Sequence, residues 1–138
     1  MLINDDPILA KKLSADGCHL GQKDMNIKEA RKIIGKKIIG ITCHNSITLA
    51  KMAIKAKASY LAFGAFYSSK TKKTNHVADV KILKKIKKIT KTPIVAIGGI
   101  NSKNYKKLLL NNANFLAISG YIWNNKKYKP LEAIERLK

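Results

Sequence analysis

The chain has 138 residues, of which 46% are hydrophobic and 7% aromatic, enough to fold as one domain around its own core. It holds no apolar run of about eighteen residues and no basic-then-apolar leader, so neither a membrane span nor a signal peptide is read. The formal charge is +20, yet only Arg31 and Arg136 among 28 basic residues are arginine, the side chain suited to bidentate recognition of bases and phosphates. The lysines fall on the solvent side of helical stretches such as KILKKIKKITK (81–91), which argues against a nucleic-acid partner and for a field that attracts small anions. Cys18 and Cys43 each lie in an apolar stretch and fit a reducing, cytoplasmic compartment better than a disulfide framework.

In chain order, LIN (2–4) reads as a strand that runs into Asn4, Asp5 and Asp6. The helix PILAKKL (7–13) follows, with Pro7 in its first turn. The strand GCHLG (17–21) leads through Gln22 and Lys23 to Asp24, and then to the helix IKEARKII (27–34), closed by Gly35. The strand IIGIT (38–42) ends in Thr42, with Cys43, His44 and Asn45 after it, and Ser46 caps the helix SITLAKMAIKAK (46–57). The strand YLAFG (60–64) is followed by the long polar loop AFYSSKTKKTNHVA (65–78) and a helix from Asp79, DVKILKKIKKI (79–89). IVAIG (94–98) runs into Gly98-Gly99-Ile100, and SKNYKKLLLN (102–111) is a helix starting at Ser102. FLAISG (115–120) is the last strand, Trp123 reads as packing near the chain end, and PLEAIERL (130–137) is the last helix.

The strands are continuous apolar runs, as in parallel sheets buried on both faces. Six strand–helix units in alternation give an α/β fold with a parallel sheet covered by helices, either an open doubly wound sheet or a barrel two units short of eight. In both architectures ligands bind beyond the C-terminal ends of the strands. Asp5 and Asp24 end adjacent strands there, and two such carboxylates with waters and a phosphorylated ligand make a Mg²⁺ site. The alternative is that each caps the helix after it. Gly98-Gly99 and Ser119-Gly120 each follow a strand and open toward a helix, the arrangement of a backbone phosphate grip. In the long loop, Ser69 and Thr71 offer hydroxyls and Lys72 a charge to a phosphate. His19 reads as a hydrogen-bonded residue inside a strand, His44 lies nearer the rim, and His76 is given no role. No Ser-His-Asp spacing, Cys-x-x-Cys pair or Walker loop is present.

The segments IND (3–5), DGCHLGQKD (16–24), IIGITCHN (38–45), FGAFYSSKTKK (63–73), AIGGI (96–100) and AISGYI (117–122), in this order and spacing, resemble thiamine phosphate synthase over nearly the whole chain. The resemblance implies a TIM (β/α)₈-type barrel, here incomplete with about six parallel units, and a single domain over residues 1–138 that corresponds to the C-terminal three quarters of the barrel. It implies the Mg²⁺-dependent joining of hydroxymethylpyrimidine diphosphate to thiazole phosphate, with release of pyrophosphate. Carried over by motif, Asn4 touches the pyrimidine diphosphate, Asp5 and Asp24 hold Mg²⁺, and Thr42 stands where the family usually has Ser beside the pyrimidine. Ser69 and Thr71 face the thiazole phosphate, Lys72 meets the diphosphate, and Gly99, Ile118 and Ser119 bind the thiazole phosphate. Lys72 and Thr42 are then the residues closest to the chemistry.

The family carries two further strand–helix units with a Gln-x-x-x-Lys diphosphate motif, which nothing in this sequence matches. The expectation is therefore a fragment, a chain begun at a wrong start site or half of a split enzyme, with weak or absent turnover alone and with its edge strands covered by a second copy or a strand-supplying partner. The rival readings are a thiazole tautomerase-like protein, with His44 as base, and a non-catalytic module that binds polyanions.

Overall fold

The computed structural model describes residues 1–68 and 77–138. Six parallel strands form one sheet in the order of the sequence: β1 (Leu2–Asn4), β2 (Gly17–Leu20), β3 (Ile38–His44), β4 (Tyr60–Phe63), β5 (Ile94–Ile97) and β6 (Phe115–Ala117). Each neighbouring pair is joined through a helix: α1 (Pro7–Lys12), α2 (Ile27–Ile34), α3 (Ile47–Lys55), α4 (Lys81–Lys87) and α5 (Tyr105–Leu110), with α6 (Gly120–Trp123) and α7 (Pro130–Glu135) after the last strand. A parallel sheet in sequential order with crossover helices is the barrel pattern, and with six strands it is an incomplete barrel. Among the described residues β1 pairs with β2 alone and β6 with β5 alone, so the sheet keeps two edges there. Among the described residues no helix is long and apolar enough to cross a membrane.

The helices start and stop where backbone chemistry dictates. Asp6, not Asp5, caps α1: its Oδ1 accepts from the Leu9 N–H at 2.8 Å, with Pro7 in the first turn. Asn26 caps α2 in the same way and Ser46 caps α3, while Gly35 closes α2 at φ 59°. Three expectations shift here. Asp79 still binds the Lys81 N–H, at 2.8 Å, but the helix itself begins at Lys81. The fifth helix begins at Tyr105 rather than Ser102, because Asn101 and Asn104 first build a turn in which the Asn104 side chain accepts from the Asn101 N–H at 2.9 Å. The last strand stops at Ala117, and Gly120–Trp123 coils into a one-turn helix, leaving Trp123 70% exposed instead of packed.

One core lies between sheet and helices. Cys18, Leu20, Ile39, Leu61, Phe63, Ile94 and Ala96 point outward from the strands into Ala10, Ala30, Ile34, Ala50, Ala53, Leu83, Ile86 and Leu108 of the helices. The alternate strand residues form the concave face. The register lines up Asn4, His19, Gly40 and Tyr60 in one row across β1 to β4, and Thr42, Ala62, Val95 and Phe115 in the next across β3 to β6. Much of this face stays open to solvent: Leu2, Ile38, Ile97 and Phe115 are each more than two fifths exposed.

Phe63 is fully buried at the centre of the outer core. Phe63→Ala is expected to destabilise the chain by about 3–5 kcal/mol, read as a lower midpoint with unchanged slope in urea unfolding. A loss under 1 kcal/mol would show that the helices do not pack on β4 as described.

Candidate active site

Because all six strands run in parallel, their C-terminal ends form one rim. Asn4 and Asp5 leave β1, Gly21 to Asp24 leave β2, and Thr42, Cys43 and His44 form the end of β3, which runs two residues further than the sequence reading. Gly98-Gly99 leaves β5, and Ile118-Ser119 leaves β6. Ser69, Thr71 and Lys72, as well as His76, lie outside the described residues.

Two rim residues hold the backbone in the left-handed region, Asp5 at φ 66° and His44 at φ 51°. Non-glycine residues rarely do so, and such positions collect at functional sites. The capping alternative for the two carboxylates does not hold, since the caps of α1 and α2 are Asp6 and Asn26. Asp24 instead braces its own loop, its Oδ2 accepting from the Gly21 N–H at 2.6 Å. The Asp5 N–H donates to the His19 carbonyl at 2.8 Å, which ties the end of β1 to β2. Both carboxylates act on the same imidazole. Burial lowers the His19 pKa below 6.5, and the negative charges of Asp5 and then Asp24 oppose that shift. Among the described residues no third Asp, Glu, His or Cys joins the pair in a metal-binding cluster. Two hard carboxylates with room for water and phosphate oxygens are the donor set that suits Mg²⁺.

His19 sits just below this rim on the concave face. Its Nδ1 lies 2.8 Å from the Tyr60 hydroxyl and its Nε2 lies 2.8 Å from Thr42 Oγ1. The His19 and Tyr60 rings stack at 5.5 Å between centroids, with 20° between their planes. Gly40 makes this possible, because a Cβ there would stand 1.9 Å from the Tyr60 Cζ. The Thr42 carbonyl accepts from the Gln22 side-chain amide. Burial raises the Tyr60 pKa, with a smaller push from Cys18. Tyr60 and Gln22 were not singled out from sequence. Their signal was the register, which aligns Tyr60 with His19 across a glycine.

At the opposite end of the rim, Gly98 and Gly99 adopt φ values of 102° and 62°, open to glycine and strained for other residues. The backbone after β4 lies directly against them. A Cβ on Gly99 would stand 2.4 Å from the Ser68 carbonyl oxygen, and the Tyr67 N–H donates to the Gly98 carbonyl at 3.1 Å. The Asn104 amide donates to the Gly99 carbonyl at 3.1 Å and fixes the loop from the other side. Ser119 immediately precedes the one-turn α6, and its carbonyl accepts from the N–H groups of Ile122 and Trp123, both at 2.9 Å. The rim therefore carries an acidic end at β1 and β2 and a backbone-lined end at β5 and β6, with Thr42 between.

A family profile for thiamine monophosphate synthase matches residues 1–122. The chain belongs to the thiamine monophosphate synthase family. It is 74% identical over 137 residues to a thiamine-phosphate synthase of Pelagibacter ubique (strain HTCC1062), a match covering 99% of this chain and 66% of that protein. A thiamine-phosphate synthase of Alcanivorax borkumensis is 40% identical over 136 residues, covering 98% of this chain and 63% of that protein. A solved thiamine phosphate pyrophosphorylase from Pyrococcus furiosus superposes with a TM-score of 0.88 at 31% identity, covering 99% of this chain and 64% of that one. The chain thus spans a little under two thirds of the length of these relatives. Within the family fold, its six strands are the part that carries the Asp5, Asp24, Thr42, Gly99 and Ser119 rim.

Cys43, between Thr42 and His44, is fully buried and unpaired, and burial pushes its pKa from 9.0 up to about 12. A thiol that keeps its proton is a poor nucleophile. Alkylation of Cys43 by iodoacetamide at pH 8 is expected to be slow in the native chain and fast after unfolding. The raised pKa also sets a sign: the associated stability is intact below pH 9 and is lost as pH rises toward 12, because the unfolded thiol ionises first. Alkylation of the native chain at the rate of a free thiol would show that the end of β3 is open to solvent.

Proposed function

We propose that this chain provides the catalytic rim of a thiamine phosphate synthase, joining hydroxymethylpyrimidine diphosphate to thiazole phosphate with release of pyrophosphate. The observation that carries this reading is the pair Asp5 and Asp24. They end adjacent strands and act on one imidazole, while helix capping falls to Asp6 and Asn26. The two carboxylates would hold Mg²⁺, which supplies charge neutralisation on the departing diphosphate. Asn4, in the row of His19, binds the pyrimidine diphosphate beside them. Thr42 places its hydroxyl against the pyrimidine, and Lys72 adds a positive charge to the leaving group.

The thiazole phosphate fits the other end of the rim. Backbone N–H groups around Gly99 and Ile118, with the Ser119 hydroxyl, grip its phosphate, and Ser69 and Thr71 add hydroxyls. The pyrimidine is electron-rich and carries the positive charge left at its methylene carbon, so the thiazole nitrogen attacks without a general base. What the site supplies is position: two anion grips at a fixed separation hold the reactants in line. A proton-transfer reaction of the tautomerase type would instead use His44 as base, and pyrophosphate release separates the two readings.

We further propose that the edges of β1 and β6 and the exposed Leu2, Ile38, Ile97 and Phe115 are covered in the working enzyme. Two further strand–helix units, in the same polypeptide or in a partner, would complete the single barrel domain to which residues 1–138 contribute. The two unpaired, buried thiols suit a reducing compartment such as the cytoplasm.

Mn²⁺ binding, followed by the paramagnetic resonance of the free ion, is expected to weaken about tenfold or more in Asp5→Asn and in Asp24→Asn. Given both substrates, pyrophosphate release is expected to require Mg²⁺ and to fall about 100-fold in either variant. Mn²⁺ affinity unchanged by both substitutions, or turnover that persists in chelator, overturns the reading. The metal measurement decides the site even where turnover of the chain by itself is weak.

A further inference from the structure

The hydrogen-bonded group of Tyr60, His19 and Thr42 has no place in the anion grips, yet it spans β2, β3 and β4 on the concave face. Both imidazole nitrogens are engaged at 2.8 Å, and the Tyr60 ring reaches His19 only because Gly40 leaves the space. We propose that Tyr60 and His19 form a two-step hydrogen-bond relay that fixes the Thr42 hydroxyl as a donor toward the ligand. They are positioning residues that act through Thr42. The inference rests on the synthase reading for the identity of that ligand, the pyrimidine, whose ring nitrogens are acceptors.

The direction of the relay follows from donor strength. A neutral imidazole has one N–H and one bare nitrogen, so His19 donates on one side and accepts on the other. A phenol is a more acidic donor than an aliphatic alcohol and, with its lone pair drawn into the ring, a poorer acceptor. The favoured sense is therefore Tyr60 O–H to Nδ1, and Nε2–H to Thr42 Oγ1. Hydrogen bonds in a chain polarise one another in the same sense. Thr42 Oγ1 accepts from below, so its own proton is left to point outward. The reverse sense would spend the Thr42 proton on Nε2 and offer the ligand lone pairs only, which a ring nitrogen cannot use. The grip of Gln22 on the Thr42 carbonyl holds the backbone beneath this hydroxyl. A site built to donate at one point rejects an analogue that lacks the acceptor, because the donor is then left unpaired. The relay thereby sets selectivity for the ring nitrogen without either residue touching it.

The test uses the 138-residue chain with ¹⁵N-labelled histidine and hydroxymethylpyrimidine diphosphate as probe. His19 is expected to be protonated on Nε2, with Nδ1 at the nitrogen shift of a hydrogen-bonded acceptor. Tyr60→Phe keeps the ring over Gly40 and removes only the donor. It should move Nδ1 toward the shift of a free acceptor and weaken pyrimidine binding about five- to tenfold. Thr42→Val should weaken binding by a similar factor, and in that background Tyr60→Phe should cost nothing more. Protonation on Nδ1 in the wild type, an Nδ1 shift indifferent to Tyr60→Phe, or a Tyr60→Phe effect that survives in full beside Thr42→Val overturns the relay. Failure of the wild-type chain to bind the pyrimidine counts against the synthase reading instead, and the nitrogen shifts then decide the relay on their own.

Discussion

The parallel pairing of six strands in sequential order is the constraint on which the rest of the structure depends. Antiparallel pairing would send alternate strand ends to opposite sides of the sheet. Parallel pairing sends all of them to one rim, so residues as far apart in sequence as Asp5 and Ser119 lie at the same end of the sheet. The helices follow from the same choice, since each parallel strand needs a crossover to return the chain to the starting edge. The two sides of the sheet then divide the work. The outward side of the strands, from Cys18 to Ala96, binds the helices through apolar packing, and the concave side carries the polar row and the rim.

The rim is chemically uneven. Its β1–β2 end gathers carboxylates near an imidazole whose pKa burial lowers, and at its β5–β6 end glycines let the backbone after β4 approach closely. In a chain of charge +20 the acidic end is a local exception, held against the general field by the strand ends that place it. The proposed function assigns a cation to one end and a phosphate to the other. At the same rim, Asp5 and His44 hold the left-handed backbone that non-glycine residues rarely adopt.

The polar row beneath the rim shows how little sequence is needed to build a network once the register is set. A missing side chain at Gly40 gives Tyr60 the room to lie across β3 and reach His19, and His19 in turn reaches back to Thr42 on the intervening strand. Three strands are stitched together by two hydrogen bonds on the face that lacks a packed core. The same face leaves Leu2, Ile38, Ile97 and Phe115 exposed beside the two edges of the sheet.

The sequence by itself determined the six strands, the helices between them and their order, while the strand ends moved at β3, to His44, and at β6, to Ala117. Continuous apolar runs alternating with amphipathic helices admit little besides a parallel α/β sheet, and the motifs at the strand ends identified the family. Capping chemistry was legible at Ser46 and Gly35, where the residue type alone specifies the backbone. It was ambiguous at Asp5, because Asp5 and Asp6 are chemically alike and only the path of the chain decides which side chain turns back onto α1. The one-turn helix after β6 was hidden because FLAISGYI is equally apolar as strand or helix, and the pairing with β5 ends at Ala117. The incomplete barrel was implied by the family resemblance, whereas the meeting of Tyr60, His19 and Thr42 belonged to the tertiary structure alone. Local sequence sets which face a side chain takes, but which side chains face each other depends on inter-strand register, a relation between segments that no single segment contains.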